Sequence, residues 1–379
     1  MQGQIDYTFI DEEQALHNLV TVIKSLTADD YIAIDTEFIR VRTYYPVFAL
    51  LQLKCRDRIY IVDPKALCIK QLLEAINNTK AYILMFSCDE DLEILYQASA
   101  DFNLEKCLPE KIYDVQLLCA FESTYYKPGL FKLINEVLNI DTAGDCSLTN
   151  WELRPLSDSQ LCYAACDVAY LYELFTILKE RVGARKFAWF ESEMAHVISD
   201  NTQKIEPDML YRAIAGAGAL SKDSLLRLQY LCKKRYEIAI EHNIALNQLI
   251  TSKALCTIAQ SLPRNNKDLL KAGVKYGCLK EHGAVILKLV DEAMSLKTKA
   301  DLIPPFDSFM HNGAHKVYIK RLKDYLKTVA VKEGMAGELL YSKRYIQDFF
   351  LPRNDGQAML ESSWRALCCK KLDGFKFKS

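Results

Sequence analysis

The stretch Tyr31-Ile-Ala-Ile-Asp35-Thr-Glu37 decides the fold prediction. Four apolar or aromatic residues in succession predict a short buried strand, and two carboxylates follow directly. Because residues i and i+2 of an extended chain point to one side, Asp35 and Glu37 are expected to project together. Sites on open sheets form at the carboxyl ends of strands. The stretch therefore predicts a buried strand that carries two acidic side chains into a site.

Strands and helices around this stretch predict a mixed sheet. Residues 48–53 and 59–62 are apolar and follow residues 31–35 closely, which favours antiparallel pairing of three strands. A fourth strand is predicted over residues 81–86. Helical spacing of apolar residues covers 69–76, 92–98, 115–122 and 131–138. The pattern predicts an α/β domain in which helices flank a mixed sheet.

Ser157-Asp-Ser-Gln160 has the form of a capping box and marks the start of a helix. The helix is predicted from Asp158 to about residue 181, with a further helix over residues 186–199. Tyr163 and Asp167 lie four residues apart on it, so they share one face.

A polar stretch over residues 200–207 marks a domain boundary, after which the strand pattern disappears. Residues 220–242, 252–261 and 283–296 are predicted as helices. The segment containing Pro304 and Pro305 is a candidate linker, and another helical group follows it. The two helical groups share a long basic helix and a later Leu-Pro-Arg-Asn, which suggests a repeat. The predicted domains are residues 1–207, 208–296 and 314–379, with a linker at 297–313.

The net charge of −1 over 379 residues hides two opposed halves. Residues 1–200 hold 18 Lys and Arg against 31 Asp and Glu, a charge of −13. Residues 201–379 hold 30 against 18, a charge of +12. An acidic half suits metal binding, and a basic half suggests an anionic partner. Charge alone only slightly favours nucleic acid over an ordinary mixed surface.

The patterns of cysteine and hydropathy indicate the cellular compartment in which the protein is expected. The thirteen cysteines are scattered without any Cys-x-x-Cys pair, which argues against structural zinc and fits a reducing cytoplasm. No run approaches the roughly 18 apolar residues of a membrane span. The polar, acidic start of the chain does not resemble a signal peptide. We therefore expect a cytoplasmic protein without a membrane partner.

The residues that carry chemistry are acidic and follow apolar segments. They are Asp35, Glu37, Asp91 and Asp167, with Tyr163 beside the last. Each short pattern alone is typical of a solvated surface, since Asp-x-Glu occurs three times in this chain. Together they would repel one another unless cations compensated them, and carboxylates suit Mg²⁺ or Mn²⁺. Two such ions about 3.5–4 Å apart support in-line phosphoryl displacement. Tyr163, with an ordinary pKa of about 10, would orient the attacking water.

The ordered set Asp35-Thr-Glu37, Asp91 and Tyr163-x-x-x-Asp167 resembles the DEDD superfamily of 3′→5′ exonucleases, in its tyrosine subclass. Residues 32–46, 89–95 and 154–171 are similar to the ribonuclease D family in particular. The resemblance implies a ribonuclease-H-like exonuclease domain followed by all-α HRDC (helicase and RNase D C-terminal) domains that bind nucleic acid.

The resemblance also implies site roles. Asp35, Glu37 and Asp167 would hold the first ion, and Asp35 would bridge to a second ion near Asp91. Glu37 would also touch the terminal sugar. Thr36 and Phe38 would line the 3′-terminal nucleotide. Relatives often have His where this chain has Phe86, and a basic residue in the loop corresponding to residues 141–150.

The leading hypothesis is an exoribonuclease that releases 5′-monophosphates from RNA 3′ ends. The resemblance implies tRNA precursors as substrates, and we expect a monomer. A DNA 3′→5′ exonuclease is the nearest alternative, because the first half contains no residue that would clearly recognise the ribose 2′-hydroxyl. A non-catalytic RNA-binding adaptor is disfavoured because no carboxylate is missing. A glycosidase would need neither the basic tail nor Tyr163.

Overall fold

The computed structural model of the chain describes residues 5–122, 125–142, 149–203, 205–297, 302–311, 313–351, 358–370 and 372–376. Most of the predicted loop 141–150 therefore lies outside the described residues. The same holds for part of the predicted linker 297–313 and for three residues of the second Leu-Pro-Arg-Asn, 351–354.

Strands of the described chain form one sheet: β1 (Tyr7–Ile10), β2 (Tyr31–Ile39), β3 (Val47–Cys55), β4 (Arg58–Val62), β5 (Tyr82–Met85) and β6 (Ile112–Asp114). Their spatial order is β1-β4-β3-β2-β5-β6. β2, β3 and β4 pair antiparallel, and the remaining neighbours pair parallel. The predicted mixed sheet is confirmed. The sequence did not predict β1 and β6.

Helices flank this sheet: α1 (Glu13–Lys24), α2 (Lys70–Asn77), α3 (Asp89–Asp101), α4 (Val115–Glu122), α5 (Leu130–Leu138), α6 (Asp158–Ala169) and α7 (Leu171–Thr202). The predicted helix 158–181 instead breaks at Tyr170, next to the Ala169 carbonyl, which accepts a hydrogen bond from Lys54. The last carbonyls of a helix lack intrahelical partners, so Lys54 satisfies the end of α6. Gly183 interrupts α7 with a positive φ of 71°, close to the predicted gap at 181–186.

The later helices are α8 (Lys222–Glu241), α9 (Leu246–Leu249), α10 (Ser252–Ser261), α11 (Asn266–Lys271), α12 (Tyr276–Met294), α13 (Gly313–Glu333), α14 (Glu338–Tyr341), α15 (Lys343–Phe350) and α16 (Ser363–Cys368). Buried apolar side chains of α8, α10 and α12, such as Leu228, Ile258 and Ile286, form one core. The all-α character predicted for this part of the chain is confirmed.

Contacts divide the chain into two compact units. The first unit contains Met1–Ile39, Pro46–Gln203 and Ala330–Leu339, and the remaining residues form the second. Ala330–Leu339 joins the first unit because the Ala336 amide donates to the Ala120 carbonyl at 2.8 Å. The predicted boundaries at 207, 296 and 313 stay predictions.

The same short segment makes side-chain contacts with α7. Arg185 forms an ion pair of 2.8 Å with Glu333, and the Lys186 ammonium donates to the Gly334 carbonyl at 3.0 Å. A segment more than a hundred residues beyond α7 in sequence thus completes the first unit.

Among the described residues, one stretch is long and apolar enough by composition to cross a membrane. It covers Asp158–Thr202, and 56% of its most apolar window is buried inside the protein. Burial of this extent is typical of a core helix, and α6 contacts β2, β3 and β4.

Candidate active site

The two carboxylates of the first motif lie in the second half of β2. β2 pairs with β5 only from Tyr31 to Ala33, whereas its pairing with β3 continues to Ile39. The strand is longer than the predicted 31–35 because β3 offers backbone partners along its whole length. Asp35 and Glu37 therefore project from one side of β2, beyond the point where β5 stops pairing.

Asp91 lies in the first turn of α3, as predicted, and is buried. Its Oδ1 accepts hydrogen bonds from the Thr36 amide at 3.1 Å and from the Thr36 hydroxyl at 2.5 Å. Thr36 alternates with Asp35 along β2, so their side chains leave the strand on opposite sides. The Thr36 contacts fix Asp91 at the end of the sheet.

Asp114 supports the turn that precedes Asp91, and sequence reasoning missed it. Its carboxylate accepts the Ser87 amide at 3.0 Å and the Cys88 amide at 3.1 Å. It also accepts the amides of Gln116 and Leu117 at the start of α4. Ser87 has a left-handed φ of 59°, an uncommon conformation that these bonds stabilise. An Asp directly before an apolar helix was the available signal, since Asp favours helix starts.

Tyr163 and Asp167 come from α6, whose predicted capping box is present. The Gln160 amide donates to the Ser157 hydroxyl at 3.3 Å, and the Ser157 amide donates to the Gln160 side chain at 3.0 Å. The ring of Tyr163 meets Phe131 edge-on at 5.5 Å between centroids and lies 6.2 Å from Trp151. These aromatic contacts fix the ring orientation of Tyr163.

Three of the predicted ligands form a cluster. One carboxylate oxygen from each of Asp35, Glu37 and Asp167 lies within 4.8 Å of the others. Asp167 is buried, and the other two are partly exposed. Asp91 lies outside this group, and its predicted place at a second ion stays a prediction.

Electrostatics raise the pKa of two of the predicted site carboxylates, Asp35 and Asp91. Burial, and then the charges of Asp91 and Asp167, raise the pKa of Asp35 well above its ordinary value. Burial also raises the pKa of Asp91 to about 7, although the hydrogen bonds from Thr36 oppose the shift. Negative charge concentrated in this way is stable only when cations compensate it.

The donor set fits hard divalent cations. All three clustered ligands are carboxylates, which suit Mg²⁺ and Mn²⁺, and no sulfur or imidazole competes within this group. A site for divalent metal is therefore consistent with the residues present.

An ion pair fixes the segment that leads into α6. Arg154 binds Asp63 through two hydrogen bonds of 2.5 and 2.8 Å, and also donates to the Ala49 carbonyl at 2.8 Å. Asp63 follows β4, and Ala49 belongs to β3. The start of α6 is thereby attached to two strands of the sheet.

A second cation holds the other end of α6. Lys54 of β3 is buried and pairs with Glu173 at 3.1 Å, besides its bond to the Ala169 carbonyl. Together with Arg154, Lys54 fixes the height of α6 above the sheet, and thus where Asp167 meets Asp35.

The remaining predicted site residues have distinct surroundings. Thr36 is buried and contacts Asp91, while Phe38 is half-buried beside an irregularity in the β2–β3 register. Their predicted roles at the 3′-terminal nucleotide stay predictions. Phe86 is half-buried directly before Ser87, and Cys162 is partly exposed on α6.

Comparison with known families defines the class of protein. Residues 7–183 match the 3'-5' exonuclease family, and residues 224–290 match the HRDC domain. The fold and the acidic cluster thus belong to a 3′→5′ exonuclease with a helical HRDC domain, as the sequence motifs predicted.

Individual relatives identify the family. Ribonuclease D of Haemophilus influenzae is 30% identical over 321 residues, which cover 84% of this chain and 78% of that protein. Ribonuclease D of Serratia proteamaculans is 30% identical over 343 residues, covering 88% and 90%. The crystal structure of Escherichia coli RNase D, described as an exoribonuclease involved in structured RNA processing, matches with a TM-score of 0.84. That match has 26% identity and covers 98% of this chain and 97% of that one. The chain belongs to the ribonuclease D family and is a 3′→5′ exoribonuclease, a hydrolase.

Replacing Asp63 with Asn should destabilise the protein in a pH-dependent way. Burial alone would raise the pKa of Asp63, but the hydrogen bonds from Arg154 bring it below its ordinary value. The stabilisation is therefore complete above the unfolded pKa of about 3.9 and is lost as pH falls through the lower folded pKa. We expect a cost of about 1–3 kcal/mol near pH 7. Thermal unfolding midpoints across pH 3–7 would measure it.

Asp57→Asn is the matched control, because Asp57 is exposed in the turn between β3 and β4. Equal effects of both substitutions on the unfolding midpoint would contradict the role of the Arg154–Asp63 pair. So would a difference in midpoint between Asp63→Asn and the unaltered protein that does not become smaller at acidic pH.

Replacing Thr36 with Val should lower activity by about 10–100-fold, the range typical when a group that orients a metal ligand is removed. The hydroxyl bond to Asp91 is lost while side-chain volume is kept. We expect kcat to fall and the metal concentration for half-maximal rate to rise. Thr36→Ser retains the hydroxyl and should remain within a few-fold of the unaltered protein. A change confined to KM would instead indicate contact with the nucleotide.

Proposed function

We propose that the chain removes nucleotides one at a time from RNA 3′ ends and releases nucleoside 5′-monophosphates, using two divalent ions. The observation that carries this proposal is the approach of Asp35, Glu37 and Asp167 to within 4.8 Å of one another. The cluster lies at the end of a sheet, where substrates bind in open α/β folds.

Each residue has a defined task in this proposal. Mg²⁺ or Mn²⁺, when bound, would lower the pKa of the attacking water and stabilise charge on the leaving oxygen. Asp35, Glu37 and Asp167 would hold the first ion, and Asp35 and Asp91 would serve the second. Asp91 would act there directly or through a water.

Tyr163 orients the water through its hydroxyl. Its ring contacts Phe131 and Trp151, which fix its orientation. Glu37 also contacts the terminal sugar, and Thr36 and Phe38 line the terminal nucleotide.

Two lysines and an exposed tyrosine at the starts of α3 and α5 suit a nucleic-acid substrate. Lys132 lies 4.3 Å from the ring centroid of exposed Tyr125. Lys127 of the same loop pairs with Asp89, two residues before Asp91, at 3.7 Å. Cations and aromatic rings together bind phosphates and bases of single strands.

We further infer that the substrates are tRNA precursors. Membership of the ribonuclease D family and the structured-RNA role stated for the Escherichia coli relative support this inference. The protein is expected to act as a cytoplasmic monomer without a membrane partner. Residues 314–379 are proposed as a second HRDC-like domain that helps to hold RNA.

Asp167→Asn should reduce hydrolysis by at least about 1,000-fold, because losing a metal ligand removes several kcal/mol of transition-state stabilisation. RNA binding should persist. The assay is digestion of a 3′-extended tRNA and a matched DNA, with and without chelator, with identification of the released nucleotide.

The control for this variant is Asp158→Asn, which makes the same change at an exposed position of α6 and should leave the rate unchanged. Near-normal turnover by Asp167→Asn would refute the two-metal assignment. Equal or faster digestion of the DNA would favour the DNA exonuclease alternative.

Neutralising one face of α13 should weaken RNA binding. Lys316, Lys320 and Lys327 are exposed and share a face, since they are separated by four and seven residues. The triple Lys→Gln variant should make the slope of log K against log salt shallower by about 2, since each single-strand phosphate contact contributes about 0.7. Binding titrations at several salt concentrations would measure this slope.

A variant with Gln at Lys24, Lys70 and Lys80 serves as the charge-matched control, because these exposed lysines lie on or beside α1 and α2. If both triple variants bind RNA alike, the α13 face is not a specific RNA contact.

A further inference from the structure

Gln52 is a buried amide in β3 whose hydrogen-bonding groups lack protein partners. Its exposed fraction is 0%, and neither its Nε2 nor its Oε1 has a partner among the described residues. Buried polar groups in folded proteins are almost always hydrogen-bonded, since an unpartnered group loses its water without compensation. Groups of this kind are satisfied by an ordered water, by an ion, or by a neighbouring side chain that turns toward them.

The strand register shows what Gln52 faces. Gln52 is the direct antiparallel partner of Asp35 in the β2–β3 pair. Side chains of directly opposed residues point to the same side of a sheet, with Cβ atoms about 4.5–5.5 Å apart. The amide therefore lies on the face that holds the carboxylate cluster, next to the residue expected to serve both ions.

The neighbouring side chains do not supply a hydrogen-bond donor to Asp35 in place of Gln52. Lys54, two residues along β3 on the same side, is engaged with the Ala169 carbonyl and Glu173. The strongest charged influences on Asp35 are the carboxylates of Asp91 and Asp167. Ile61, opposite Gln52 on β4, is apolar.

We propose that Gln52 is a positioning residue of the metal site and that its amide N–H orients the Asp35 carboxylate when metal is held there. A neutral amide can donate to a carboxylate without adding charge, whereas a cation at this position would compete with the metal. The inference rests on the proposed metal site but concerns a residue outside the recognised acidic motifs.

The test is Mn²⁺ binding to the full-length protein without RNA. Gln52→Met keeps the length of the side chain and removes both polar atoms, and Gln52→Leu is a second variant of similar volume. Titration of Mn²⁺, followed by electron paramagnetic resonance of the free ion, should show affinity reduced by about 10–100-fold in both variants. The thermal unfolding midpoint of the metal-free protein should stay equal or rise, because an unpartnered buried amide has been removed.

Asn77→Leu is the matched control. Asn77 is also buried, but it lies on α2, where its amide donates to Ser99 and to the Lys106 carbonyl. This variant should lose stability and keep its Mn²⁺ affinity. Unchanged affinity in both Gln52 variants, or an equal loss in Asn77→Leu, would overturn the role of Gln52.

The titration also separates this inference from the function on which it rests. If the unaltered protein binds no Mn²⁺ and Asp35→Asn changes nothing, the metal site itself is refuted. If Asp35→Asn abolishes binding while Gln52→Met and Gln52→Leu bind normally, only the role of Gln52 is refuted.

Discussion

Mutual repulsion among closely spaced carboxylates is the constraint on which the exonuclease unit depends. Asp35, Glu37 and Asp167 approach one another within 4.8 Å, and burial raises the pKa of Asp35 and Asp91. A fold can hold such charges close together only if separate rigid elements fix their positions. Asp35 and Glu37 lie on the sheet, whereas Asp91 lies on α3 and Asp167 lies on α6. Arg154 and Lys54 hold α6 at its two ends, and Thr36 holds Asp91.

Local sequence predicted the elements with strong periodicity or a specific cap. The apolar residues before Asp35 predicted β2, and Ser157 with Gln160 predicted the start of α6. The acidic motifs pointed to Asp35, Glu37 and Asp167, which lie close together, whereas the place of Asp91 at a second ion stays a prediction. The break at Tyr170 was missed, since it coincides with a bond from Lys54, more than a hundred residues away.

Other features could not be predicted because they arise from pairing between distant residues. Gln52 is an ordinary strand residue until the β2–β3 register places it opposite Asp35. The sequence around Asp114 indicates only the start of α4, yet its carboxylate also accepts hydrogen bonds from the amides of Ser87 and Cys88. The Arg154–Asp63 pair joins residues 91 positions apart. Sequence patterns report local geometry, whereas these contacts depend on the assembled sheet.

Ala330–Leu339 belongs to the first unit although it lies far along the chain, and this has a consequence for synthesis of the protein. After α7 has been synthesised, the ribosome must still translate more than a hundred residues before the Ala336 amide can bond to the Ala120 carbonyl. At about 5–20 residues per second, this delay is on the order of 10 s. During that interval the nascent nuclease lacks its last contacts, so a chain that ends early would remain incomplete at α4 and α7. Translation beyond α13 is therefore needed before the first unit can make all of these contacts.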